Sequence, residues 1–145
     1  LQSLTEEQAV WVAAHMRIIG EFERIGDALV KIARLGQKSR GKKIDLHDDA
    51  RSQILDISYL VRDFLQYISS LLEQRVAEKD MAIARSMEDE INKFRNNLNK
   101  VSRKSIKSGG NIKGELLFME MVRRFENIGD GCITIVKELS RAEKR

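Results

Sequence analysis

Between Ile54 and Leu71 the apolar residues Ile57, Val61, Phe64 and Ile68 fall at steps of 3, 4, 3, 4 and 3. That spacing is a heptad seam on one side of a helix, and strands with their period of two do not produce it. Three further segments repeat the pattern. Ala84, Met87, Ile91, Phe94, Leu98 and Val101 form one seam, and Ile18, Phe22, Ile25, Leu29 and Ile32 another. The last runs through Phe118, Val122 (or Met121), Phe125, Ile128, Cys132, Ile135 and Leu139.

Helix-end signals divide these seams. Thr5 and Gln8 fit a capping box, and Gly36 is a natural stop. Asp45, Asp80 and Asn111 are candidate caps for the following segments. The pattern therefore predicts four helices over 5–36, 46–76, 79–107 and 112–142. Each has about 30 residues and spans roughly 45 Å. Short connections make neighbours antiparallel, giving an all-α bundle of four long helices with no strand.

Composition agrees with this pattern. The 145 residues suit one domain, and none is proline, the strongest helix breaker. Hydrophobic residues at 42% supply a core, while 33% charged residues cover it. A net charge of +4 is too mild to argue for nucleic acid as a partner. Cys132 is the only cysteine, which excludes an intrachain disulfide and a cysteine-based zinc site; it is expected to be a small buried apolar residue in a reducing compartment. No run of eighteen apolar residues and no signal peptide is visible. The stretch "QKSRGKK" at 37–43 reads as a solvated loop or as a basic contact for anionic headgroups or an acidic partner.

One stretch occurs twice. "FERIGDALVKIA" begins at Phe22 and "FENIGDGCITIV" at Phe125, so F-E-x-I-G-D recurs. Glu23 and Asp27 are one helical turn apart, as are Glu126 and Asp130, each pair displaced from its seam by a similar angle. Stacked like charges repel, and a hard divalent or trivalent cation would relieve them. Ordinary ion pairs would as well: Arg17, Arg24 or Lys31 for Glu23, and Arg123 or Arg124 for Glu126. Gly26 and Gly129 each cost about 1 kcal/mol inside a helix, which suggests that a helix, an ion or a ligand approaches closely there.

Catalytic signatures are absent. Neither His15 nor His47 has a glutamate three residues before it, as di-iron bundles require. No G-x-x-x-x-G-K-[ST] loop and no Ser-His-Asp set occurs. The chain is expected not to be an enzyme, with Trp11 and His15 as packing residues.

The run Phe22-Glu23-Arg24-Ile25-Gly26-Asp27-Ala28, followed by Ile32-Ala33, resembles the E-R-I-G-D signature of the PhoU family of phosphate regulators. The resemblance implies tandem three-helix repeats with the motif on each third helix. On that template 5–36 is the last helix of a truncated first repeat and 46–142 a complete second one, so 1–145 is a PhoU-like helical domain and a fragment of a longer protein. It also implies acidic metal ligands, which here match Glu23, Asp27, Glu126 and Asp130, for iron, zinc, manganese or magnesium. "MEDEINKF" adds Glu88, although Asn92 stands where a second acid is expected, Asn127 replaces the motif arginine, and Gly131 follows where a larger residue is usual. With these departures the chain looks most like the cytoplasmic PhoU-like tail of a bacterial sodium/phosphate cotransporter. The resemblance places it at the cytoplasmic face of the inner membrane, regulating phosphate transport without catalysis. Its expected partners are a transmembrane transporter domain and a second copy of itself. A soluble PhoU acting on an ABC phosphate transporter and a sensor kinase, and a ligand-free helical adaptor, are the alternatives.

Overall fold

The computed structural model describes residues 3–143 and contains four helices. They are α1 (Glu6–Gly41), α2 (Ala50–Leu72), α3 (Glu78–Lys107) and α4 (Ile112–Glu143). No strand occurs among the described residues, as the seams require. Residues 1, 2, 144 and 145, the ends of the expected domain, lie outside the described residues.

Helix ends differ from expectation where tertiary contacts intervene. The Thr5 capping box forms, with Gln8 N–H 3.2 Å from Thr5 Oγ1 and Thr5 N–H 2.9 Å from Gln8 Oε1. Gly36 does not stop α1, which continues to Gly41. Gln37, Lys38 and Arg40 are all helix formers, and one glycine costs too little to end a long helix unaided. The basic stretch is thus mostly the last turn of α1, where cations complement the helix dipole. Its Lys38, Arg40, Lys42 and Lys43 are all exposed.

Asp45 does not cap α2. The chain stays irregular to Asp49, which adopts a left-handed conformation (φ 65°) without a side-chain cap. The reason lies on α4: a Cβ on Gly114 would overlap the Asp45 carbonyl, so this connection is pressed against the first turn of α4. Asp80 does not cap α3 but stands in its first turn, three residues after the Ala77 cap. One of its oxygens accepts from Ala77 N–H at 2.7 Å and the other from the Tyr67 hydroxyl at 2.5 Å. Asn111 caps α4 as expected, its Oδ1 lying 2.8 Å from Gly114 N–H.

Packing is unequal. α4 meets every other helix, α2 and α3 meet each other, and α1 meets α4 alone. The core therefore forms around α4, where Phe118, Val122, Ile128, Cys132, Ile135 and Val136 are fully buried. α2 contributes Ile57, Val61, Phe64, Ile68 and Leu71, and α3 contributes Ala84, Ile91 and Leu98. Met87, Phe94 and Val101 of the α3 seam are half-buried.

α1 departs most from its expected seam. The residues it buries are Ala14, Ile18, Ile25 and Ala28. Phe22 and Leu29 stay 38% and 46% exposed. Trp11 is 50% exposed and stacks on the His15 ring at 3.9 Å rather than joining the core. α1 runs antiparallel to α4: Ile25 meets Gly131, and Arg17 pairs with Glu138, further along α4, at 3.0 Å.

Candidate functional site

The duplicated motif occupies two different environments. On α4, Gly129 faces α3: a Cβ there would lie 3.2 Å from Ile91 Cδ1, so the missing side chain lets α3 approach. The adjacent Gly131 does the same for α1, where Ile25 Cγ1 would lie at 3.1 Å. On α1, Gly26 meets nothing within 4 Å. The close approach expected at both glycines is thus realised on α4, and on α1 that side is bare.

The acids follow the same division. Glu88 of α3 and Glu126 and Asp130 of α4 adjoin closely enough to shift one another's titration. Burial is the main cause raising the Glu126 carboxyl, and the neighbouring Asp130 charge adds to it. Burial and then Asp130 likewise raise Glu88, against a lowering pull from Lys137. Asp130 is raised by partial desolvation of its carboxylate, against the hydrogen bond from Glu126 and the charge of Arg95. Arg95 supplies the counter-charge, with Nη1 2.5 Å from Glu126 Oε1. The pairing of Glu126 is therefore neither Arg123 nor Arg124, which instead hold Glu120 at 3.0 and 2.7 Å.

Asp27 lies across from Asp130 in a groove of about 370 Å³ between α1 and α4. Arg24, Lys31 and Arg124 line it too, so its charge is mixed. Glu23 is exposed and does not line this groove. Among the described residues no three or more carboxylate, histidine or cysteine side chains converge to hold a metal ion. Glu23, Asp27, Glu126, Asp130 and Glu88 are thus split between an exposed pair on α1 and three acids on α3 and α4 that neighbour one another without converging, Arg95 already pairing Glu126 and Lys137 drawing on Glu88. Asn92, where an acid was expected, has a buried Oδ1 without a hydrogen-bond partner. Cys132 is fully buried as expected, and burial pushes its thiol up to about 12.

A second polar cluster had no counterpart in the sequence reading. Glu115, in the first turn of α4, is 1% exposed. Its carboxylate accepts from Ser102 Oγ at 2.6 Å and faces His47 Nδ1 at 2.8 and 3.0 Å. The other ring nitrogen of His47 lies 2.7 Å from Gln53 Oε1, and the ring meets Phe118 edge-on at 4.6 Å. Burial alone would raise the Glu115 carboxyl, but hydrogen bonds from Ser102, His47 and Ser105 outweigh it and hold the group below the usual range. One signal was available: extended one step back from Phe118, the α4 seam lands on Glu115. An acid at a core position needs partners. The cluster ties α2, α3, α4 and the connection before α2 together, and through His47 it borders a groove of about 840 Å³ lined also by Arg40, Lys43, Arg51 and Met121.

No protein-family model, curated protein or solved structure matches this chain.

Proposed function

We propose that this chain is a non-catalytic regulatory domain of the PhoU type that restrains phosphate entry through a membrane transporter. The observation that carries the reading is the duplicated F-E-x-I-G-D, set on two helices, α1 and α4, that pack against each other. Duplication of a helix-borne motif fits tandem three-helix repeats, with α1 ending one repeat and α2–α4 making the next. No helix of the described residues is long and apolar enough to cross a membrane, so on this reading the transport path belongs to another domain or a partner. The exposed Lys38, Arg40, Lys42 and Lys43 suit the cytoplasmic face of the inner membrane. Each basic residue near an anionic bilayer is worth about 1 kcal/mol.

On the same reading, an iron, zinc, manganese or magnesium ion would have to draw together Glu126, Asp130 and the neighbouring Glu88, which do not converge as they stand. Such an ion would supply positive charge at the α3–α4 surface in place of Arg95. The chain's own residues account for the rest: the α3–α4 contact at Gly129 keeps the acids neighbours, and the basic turn of α1 faces the membrane.

Removing the coding segment for residues 5–143 from the source cell tests the reading. Uptake of radiolabelled phosphate should then continue when external phosphate is plentiful. Uptake that is repressed as before would refute a regulatory role.

A further inference from the structure

Two parallel heptad seams run along α1, one residue apart. The first contains Ala14, Ile18, Ile25 and Ala28 and is buried on α4. The second contains His15, Ile19, Phe22, Gly26, Leu29 and Ala33. Ile19 is 67% exposed, and Gly26 faces open space.

The motif offset, from Glu23 to Glu126, carries this second seam onto Phe118, Val122, Phe125, Gly129, Cys132 and Val136 of α4. Every one of those six is buried. The same face of the same repeated helix is thus covered by helices on α4 and bare on α1. Its occupant must itself be helical, because the α4 counterpart shows what a seam with a central glycine accepts.

We infer that a second copy of this chain covers it, through antiparallel packing of α1 on α1 about a two-fold axis. The seam complements itself in size. In the antiparallel register that overlaps the whole helix, Phe22 sits over Gly26 of the partner subunit, His15 over Ala33 and Ile19 over Leu29. Large residues face small ones or equals, as an isologous interface requires. Charge favours the same direction. The first turn of α1 carries Glu6 and Glu7, and its last turn carries Lys38 and Arg40. Antiparallel pairing brings each acidic end to a basic end, whereas parallel pairing stacks like on like. A 36-residue helix is roughly 54 Å long and presents a strip about 10 Å wide. That strip is about 540 Å² per partner, toward the low end of specific interfaces, so the dimer should be of modest affinity. The inference does not rest on a role in transport, and it competes with the repeat reading above, on which two preceding helices would cover this face as α2 and α3 cover α4.

Sedimentation velocity on the whole chain tests it. The wild type should sediment as a dimer at concentrations well above micromolar. Ile19→Glu should be a monomer with unchanged helical circular dichroism, since Ile19 makes no core contact within one chain. Register is read by oxidising a mixture of Ile19→Cys and Leu29→Cys chains, which should cross-link to each other while neither cross-links alone. A wild type that stays monomeric, an Ile19→Glu variant that stays dimeric, or self-cross-linking of each single variant would overturn the proposal.

Discussion

Replacing Glu115 with alanine should be among the most damaging single substitutions in this protein. The side chain is essentially inaccessible and accepts from Ser102 and His47, groups on α3 and on the connection before α2. Truncation leaves the Ser102 hydroxyl and His47 Nδ1 facing a void. Each buried group left without its hydrogen-bond partner costs about 1–3 kcal/mol, so the two together cost about 2–6 kcal/mol. For a chain of this size each kcal/mol moves the melting temperature by about 2–4 °C, so a fall on the order of 10 °C is expected. Glu115→Gln is the control. Its amide oxygen can still accept from Ser102, and its amide N–H₂ can donate to His47 Nδ1 while Nε2–H donates to Gln53, so the loss should be much smaller. The pH dependence separates charge from shape. The Glu115 carboxyl is held low in the folded state, so its contribution is complete above the ordinary carboxylate pKa and is lost as pH falls through the folded value. The gap between wild type and Glu115→Gln should therefore close on acidification. Thermal melts followed by circular dichroism, at one protein concentration throughout, supply the measurement. An alanine variant melting within about 3 °C of wild type would show that the network contributes little.

Four further outcomes follow from the same geometry. Gly114→Ala should be destabilising by about 1–3 kcal/mol in urea titration, because its Cβ meets the Asp45 backbone. Gly20→Ala, with nothing within 4 Å, should gain up to about 1 kcal/mol from helix propensity, and equal effects at the two sites would refute the packing account. Asp130→Asn should raise the melting temperature at neutral pH: the raised carboxyls favour the protonated fold, so the charged cluster weakens stability as pH rises through their folded values, and the variant's gain should vanish on acidification. A gain that persists at acidic pH would rule this out. Arg95→Gln removes the counter-charge from Glu126, so isothermal titration with manganese should show tighter binding than in wild type; equal or weaker binding would mean that Arg95 does not compete with a cation.

The helices were legible because each seam is long and regular, and periodicity needs no tertiary knowledge. Their ends were less so. The start of α2 is set by the packing of Asp45 on Gly114, far along the chain, and no local cap signal reports such a contact. For α1 the sequence carries two seams of comparable apolarity, and only the fold reveals that α4 takes the one through Ala14 and Ala28. The small residues permit the close approach that Phe22 and Leu29 would prevent. At the site, spacing correctly put Glu126 and Asp130 together. Arg95 was missed, although it lies seven residues beyond Glu88 and so on the same face of α3.

The attachment of α1 to α4 alone also bears on the order in which the chain gains structure. α2, α3 and α4 are consecutive and close short loops, so they can assemble early with little entropic cost. α1 must instead find a helix roughly a hundred residues away, as Ile25 does with Gly131. Its docking is therefore a late event, and substitutions at Ile18 or Ile25 should accelerate unfolding while leaving the folding rate almost unchanged. The same topology gives α1 a private route to opening. Its amide hydrogens should exchange through a partial unfolding that leaves the other three helices intact, well below the free energy needed to expose those of α4.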